Sequence, residues 1–391
     1  MKPIVDWLVG IFFLPILLVV LLSARALCAA RKWVGKKPRI IWGPVPIITI
    51  ASNSQAERKL GYHSRTLVYS TYHLLNNFDY NLERWIKIPM VRPIVEWLVF
   101  FWALVSFDIF HFFFDRGFLR PHGRRGINRV ELPLLKMGGK SVIVSAYGGD
   151  VRYETKCRID GKYNCCTDCD QRLSACICDE RLALDNFKYV NRYADLILSM
   201  GDMIEYTPGS RNDVFYWSID VRRVAFVGVK GRNDAPIVIV HAPNHRQFKG
   251  TKYLIDTVER LKGRGYAVEL RLVEGVRNDI AIEIYKEAEI VVEQLLIGWH
   301  GYLAVECLAL GKPVVAFIRK PDVYLPNGRD CPIVSADPDN LEERLCWLIE
   351  NPDVRVKLGI RGRRYVEEVF SMESVGKRLE GIYQTIWPGS R

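Results

Sequence analysis

Two stretches of this chain carry residue types suited to a polyanionic ligand: "HAPNHRQFKG", His241–Gly250, and "GWHGYLAVE", Gly298–Glu306. The first holds Arg246 and Lys249, with Gly250 beside the lysine. The second places Gly298 and Gly301 directly before a helical pattern. Backbone N–H groups at a helix start attract anions, and nearby Lys and Arg add full charges. Lys249, Arg246 and the N–H groups of Gly301, Tyr302 and Leu303 together describe a diphosphate site. Glu306 would then accept hydrogen bonds from sugar or ribose hydroxyls. Taken singly, each residue reads as ordinary solvated surface, so the weight rests on the combination.

Such a site needs strands that deliver both stretches to one edge. Strand and helix patterns alternate along the chain, the signature of parallel α/β units. A first series includes "RIIWG", "RTLVY", "DIFHFFF", "KSVIVSAY" and "DLILS" as strands, and a second includes "PIVIVH", "AVELRLV", "EIVVEQ" and "PVVAFI". The irregular, Gly/Asp/Tyr-rich segment from Gly201 to Val229 separates them. This predicts an α/β protein of two doubly wound, Rossmann-like domains, 38–225 and 226–370, facing a cleft. A last helix in 371–391 would pack back on the first domain. Ligands in such sheets sit at the carboxyl ends of the strands.

The run "HAPNHRQFKGTKYLIDTVERLKGRGYAVELRLVEG", the strand "AEIVVEQ" and "GYLAVECLALGKPVVAF" follow in that order. From Pro236 to about Phe370 the chain resembles the nucleotide-sugar domain of the retaining GT-B glycosyltransferases of group 1 (glycosyltransferase family four). The resemblance implies a GT-B fold and a nucleotide-diphosphate sugar donor. It implies that Lys249 and Arg246 bind the donor diphosphate and that Glu306 holds the ribose, with Gly250, His300, Gly301, Tyr302 and Leu303 around them. The family's usual arginine, five residues before the lysine, falls on Asn244. Its Glu-x7-Glu signature has Gly298 in the first place, so His300, Glu293 or Gln294 must stand in, or the sugar is held differently. More loosely, "KSVIVSAYGGDVR" resembles the family's His-Gly-Ser-Asp turn, with Tyr147 for the histidine and Gly148, Gly149 and Asp150 completing it. That turn would touch the transferred sugar or the acceptor, and an ordinary glycine turn after a strand is the plain alternative.

Six cysteines crowd the segment 157–178, "CRIDGKYNCCTDCDQRLSACIC". Cys166, Cys169, Cys176 and Cys178 offer four thiolates for a structural zinc, or for an iron–sulfur cluster. Free thiols in a loop are the alternative. Catalysis itself requires no cofactor on this reading.

The uncharged run Trp7–Ala24 spans 18 residues, near the roughly 17–25 that a membrane-crossing helix needs. Six basic residues and no acidic one follow between Arg25 and Arg39, which by the positive-inside rule keeps the remainder cytoplasmic. Residues 1–30 therefore read as a single-pass anchor with the catalytic domains on the cytoplasmic face, although "ARALCAA" also offers cleavage sites for a signal peptide. The net charge of +11 calls for an anionic partner, and a membrane face suffices without nucleic acid. The second apolar run, Pro93–Phe114, has only 11 uncharged residues between Glu96 and Asp108. That is too few to cross, so it reads as a buried or interfacial helix followed by a strand.

Walker, His-Glu-x2-His and serine-elbow motifs are absent from the sequence, which removes those reaction classes. The expectation is a membrane-anchored retaining glycosyltransferase acting on a lipid-linked or saccharide acceptor in glycan biosynthesis. A catalytically silent GT-B-like scaffold, or a GT-B epimerase, is the alternative that Gly298 leaves open.

Overall fold

The computed structural model describes residues 2–71, 77–121, 125–159, 161–170, 172–174, 176–231, 235–325 and 331–388, and of residues 2–15 only the backbone. The first sheet comprises β1 (Arg39–Trp42), β2 (His63–Val68), β3 (Tyr80–Asn81), β4 (Ile109–Phe113), β5 (Ser141–Ser145) and β6 (Leu196–Leu198). All its pairings are parallel, in the order β3-β2-β1-β4-β5-β6. Strands β4 and β5 are buried at every position. Parallel strands covered on both faces read as near-continuous apolar runs, which is why "IFHFF" and "SVIVS", polar only at His111 and at the end residues Ser141 and Ser145, lack a polar alternation.

The second sheet comprises β7 (Ile237–His241), β8 (Val268–Leu272), β9 (Ile290–Val292), β10 (Val314–Ala316) and β11 (Val334–Ser335). Its order is β11-β10-β9-β7-β8, again parallel. In both sheets the winding direction reverses once, between β1 and β4 and between β7 and β9. The crevice at such a reversal, beyond the strand carboxyl ends, is where doubly wound sheets hold ligands. The loops leaving β7 and β9 are the two stretches singled out above. Short edge strands β3 and β11 escape a reading by pattern, because two residues carry no periodicity.

The helix Met372–Ile386 crosses back to lie on the helix Ile48–Lys59 of the first domain. A buried polar network fixes it there. Trp42 Nε1 donates to Glu57 at 3.0 Å, Tyr383 donates to the same carboxylate, and His111 Nε2 lies 2.8 Å from the Tyr383 hydroxyl with its ring stacked on Trp42. Burial pushes the Glu57 carboxyl up to about 7.

The N-terminal helix runs unbroken over Lys2–Trp33. Among the described residues, no helix is long and apolar enough to cross a membrane. The expected span at Trp7–Ala24 lies, for side chains 7–15, outside the described residues. Its second half does not behave as a detached tether. Leu21, Ala24 and Cys28 are buried against the helix Arg92–Ser106, and Arg31 Nε donates to Asp108 at 3.0 Å. An anchor ending at residue 30 is thereby corrected, since the first domain begins inside this helix. Leu18, Val19 and Leu22 face outward on it, as do Ile94 and Leu98 on its neighbour. Within Arg92–Ser106, Glu96 is buried but paired with Arg92 at 2.9 Å and with Arg116. A buried carboxylate needs such partners.

Candidate active site

At the end of β7, His241 is buried and locked in one tautomer. Its Nδ1 donates to the Val292 carbonyl at 2.7 Å, so Nε2 accepts from the Thr251 hydroxyl at 2.8 Å. Burial lowers this imidazole to about 4, so it is a neutral brace that ties β7 to β9 and to the helix Thr251–Gly263. Between them, Arg246–Lys249 makes a single helical turn, and Gly250 adopts φ +80° to start the next helix. A Cβ there would meet Leu295 at 3.2 Å and Leu296 at 3.1 Å. Glycine is thus favoured by the left-handed backbone, and a larger residue would also press on the β9 loop.

That turn aims Lys249 inward. Its Nζ donates to Glu293 Oε1 at 2.5 Å and to Gln294 Oε1 at 2.7 Å. The other Glu293 oxygen accepts from the Gly301 N–H at 2.7 Å. The lysine ammonium and the start of the helix Tyr302–Ala309 therefore converge on one buried carboxylate. A charge without solvent must be matched in this way, and the geometry shows that an anion is held at this point. His300, also buried, gives its Nδ1 to the Gly301 carbonyl at 3.1 Å, while its Nε2 has no hydrogen-bond partner among the described residues. Burial keeps His300 neutral by lowering its pKa.

Glu306 lies on the inner side of the helix, 7% exposed, and accepts from Asn278 Nδ2 at 2.9 Å. Burial pushes its carboxyl up to about 7, partly opposed by the Asn278 bond. This is not a solvated surface glutamate. Arg246 and Asn244, by contrast, are exposed, and Arg246 Nε donates to Glu274 at 2.8 Å. The structure does not bring these two to the Lys249–Gly301 focus: Arg246 is engaged with Glu274, and Asn244 precedes the turn with its side chain exposed.

Gly298 has φ +86°, and a Cβ there would lie 2.7 Å from Arg319 Nη1. A glutamate at this position would be strained and would meet a guanidinium already in place. Arg319 donates to Glu205 of the first domain at 3.2 Å, and Lys320 reaches the same carboxylate at 2.6 Å. Nothing in the sequence pattern signalled Arg319, Glu205 or Asn278. Their roles depend on which loops meet.

On the first domain, Tyr147–Asp150 forms the turn after β5. Asp150 is buried and accepts from the Tyr147 and Gly148 N–H groups at 2.9 Å each and from Phe114 N–H at 3.2 Å. Burial raises it to about 7. Its carboxylate is thus spent on shaping the turn and tying it to β4. Tyr147 donates to Asp115 at 3.1 Å. Gly148, at φ +111°, packs on Arg152, whose guanidinium pairs with Asp202 at 2.6 and 2.7 Å. The domains meet close by, where Trp299 covers Gly201 and the Tyr302 hydroxyl donates to Ser218 O at 2.9 Å.

The cysteines group differently from the expected set. Cys157, Cys165 and Cys166 come together, whereas Cys169, Cys176 and Cys178 stay outside that group. Cys178 adopts φ +58° and its sulfur accepts from Leu173 N–H at 3.3 Å. Asp168, next to Cys169, is drawn instead toward Lys252 and Tyr253 of the second domain.

No family model matches the chain. A 113-residue segment is 32% identical to an MMP α-(1→4)-mannosyltransferase of Mycolicibacterium hassiacum, covering 28% of each chain. A segment of 87 residues is 33% identical to a GDP-mannose-dependent monoacylated α-(1-6)-phosphatidylinositol monomannoside mannosyltransferase of Corynebacterium glutamicum, 22% of this chain and 23% of that one. The chain thus spans about a quarter of the length of these curated relatives. In fold it is similar over 91% of its length to all of a sucrose-phosphate synthase from Thermosynechococcus elongatus, with TM-score 0.60 and 13% identity. The resemblance read from the sequence is supported to this extent: the fold is of the two-domain GT-B type, and about a quarter of the chain is similar in sequence to two mannosyltransferases.

Proposed function

We propose that this protein transfers a sugar, with retention of configuration, from a nucleoside-diphosphate donor to a saccharide or lipid-linked acceptor in glycan biosynthesis. The observation that supports this most is the focus of Lys249 Nζ and the Gly301 N–H on a single buried anionic point. A departing diphosphate develops charge as the sugar bond breaks, and preorganised donors in a site shielded from water stabilise it. On this reading the diphosphate displaces Glu293 from Lys249 and engages the N–H groups of Tyr302 and Leu303. No metal is needed for that step. His300 Nε2 offers the donor sugar a partner that Gly298 cannot. Asp150 acts as a positioning residue for the Tyr147–Gly149 turn, past which the acceptor hydroxyl enters. Arg246 serves the diphosphate from the rim once released from Glu274.

The two mannosyltransferase relatives make mannose the first donor sugar to try, and the monoacylated phosphatidylinositol monomannoside in the name of one of them is in keeping with a lipid-linked acceptor here. The outward Leu18, Val19 and Leu22 beside Ile94 and Leu98 support attachment to the cytoplasmic membrane face through the N-terminal helix. A panel of labelled nucleotide sugars, incubated with the full chain and membrane lipid extract, tests the activity. Binding of nucleotide without any transfer or epimerisation across the panel would instead support the silent scaffold.

Nucleotide affinity should depend on pH through Glu306. Ribose hydroxyls donate to the ionised carboxylate and so favour it, while burial favours the neutral form. Affinity for the nucleoside diphosphate should therefore rise as pH increases through about 7. Glu306→Gln should bind more weakly at high pH and lose that slope, which calorimetry at several pH values would measure. An identical slope in both proteins would remove Glu306 from the site. Linkage gives the opposite sign for stability. The folded state holds its proton to higher pH than the unfolded 4.5, so this group's contribution declines as pH rises between those values.

A further inference from the structure

The segment 157–178 lies outside the donor site, yet it carries the most concentrated metal-binding chemistry in the chain. Cys157, Cys165 and Cys166 bring their sulfurs within 4.8 Å of one another, and Cys157 Sγ to Cys165 Sγ is 3.7 Å. Four thiolates at about 2.3 Å from a tetrahedral zinc have sulfur–sulfur edges of about 3.8 Å. A disulfide would need about 2.0 Å, and none of these sulfurs is so bonded. In a four-iron cluster each thiolate binds its own iron, which spreads the sulfurs wider than this group. The spacing selects one ion.

A fourth thiol is at hand. Cys176 lies outside the group of three but is buried and close enough to affect the Cys165 thiol, so it would complete the set by a side-chain adjustment when the ion binds. The surroundings suit a dianionic zinc tetrathiolate. The Tyr206 hydroxyl is 3.0 Å from Cys157 Sγ, positioned to donate to a thiolate, and the Arg152 guanidinium acts on both Cys165 and Cys176. Donors and charges around the ligands commonly hold metal sites in register. Cys157, Cys165 and Cys176 are almost inaccessible to solvent, and four thiolates leave no open position, so the site is structural.

The segment also connects the two domains. Ile177 N–H donates to Gly149 O at 2.8 Å, on the turn after β5. Asp168 accepts from Lys252 Nζ at 2.8 Å and the Tyr253 hydroxyl at 2.9 Å, one turn beyond Lys249. Lys162 and Tyr163 both donate to Asp339, at 2.8 and 2.7 Å. A segment of this length with little regular structure needs an internal fastening to hold such contacts in place.

We propose that Cys157, Cys165, Cys166 and Cys176 bind one zinc ion as a closed tetrathiolate, and that the ion holds residues 157–178 as a strap between the two domains. Full-length protein purified anaerobically without chelator should carry about one zinc per chain. Exchange with Co2+ should give the intense visible absorption of a tetrahedral thiolate site. Cys165→Ser and Cys176→Ser should each abolish binding, whereas Cys169→Ser and Cys178→Ser should retain it. Should the serine variants fail to fold, thiol titration of the native protein decides. Four thiols that react only after chelation support the site, and a metal-free native protein with those thiols open to reagent overturns it. Zinc retained by Cys165→Ser, or lost from Cys169→Ser, overturns the ligand set. Chelation should also speed amide exchange in the first turn of Thr251–Gly263, and unchanged exchange there would overturn the strap.

Discussion

Lys249→Ala should lower turnover by about 10²–10³, the usual effect of removing one preorganised donor from a developing anion. It should also destabilise the protein, because the Glu293 side chain has no solvent exposure and would lose its cation. Breaking a buried pair from one side costs roughly 3–5 kcal/mol. The two effects can be separated with the double variant Lys249→Ala/Glu293→Gln. A neutral amide at position 293 still accepts from Gly301 N–H but no longer needs a counter-charge, so most of the stability should return. Turnover should not return, since the ammonium that meets the leaving group is still missing. Thermal melts and steady-state rates on both variants supply the measurement. Near wild-type turnover in the double variant would sink the diphosphate assignment, and an unchanged melting temperature in the single variant would show that the Lys249–Glu293 pair does not form in solution.

Deleting residues 2–30 should leave a chain that does not fold stably, whereas deleting 2–15 should leave a folded one. The longer deletion removes Leu21, Ala24 and Cys28 from the core. A fully buried leucine alone contributes about 1.5–3 kcal/mol. It also strips Lys140, whose side chain is fully buried, of a partner, because Lys140 Nζ donates to Cys28 Sγ at 2.9 Å and is left with Asp108 at 3.9 Å. An under-compensated buried ammonium costs several kcal/mol more. The sum rivals the whole stability of an ordinary domain, about 5–15 kcal/mol. The shorter deletion spares every one of these contacts. On the proposed attachment it should also weaken membrane association without abolishing it, because Leu18, Val19, Leu22, Ile94 and Leu98 stay in place, while nucleotide binding persists. Circular dichroism melts with sedimentation of membranes would check both halves. A 2–30 deletion that melts like the full chain would show that the packed half of the helix contributes nothing.

The candidate donor-side residues were legible in the sequence because what marks them is local. Lys249, Gly250, Gly301 and Glu306 keep fixed offsets from a strand end or a helix start, and such offsets survive in one dimension. The parallel α/β class was legible for a similar reason. Buried parallel strands are near-continuous apolar runs, and "IFHFF" and "SVIVS" announce this without any partner in view. The tertiary structure decided matters that depend on contacts between distant segments. Glu293 meets Lys249 across 44 residues, and Arg319 fills the space that a side chain at Gly298 would need. The loop fold chose Cys157 and Cys165 over Cys169 and Cys178, since thiol spacing in sequence constrains distance only when the intervening backbone is regular. The N-terminal helix shows the same division most plainly. An apolar run of 18 residues is equally suited to lipid or to a protein core, because both are apolar solvents for leucine. The residues that distinguish the two, Asp108, Lys140 and the helix Arg92–Ser106, lie about 70 to 115 positions beyond its end and reach it only through the fold.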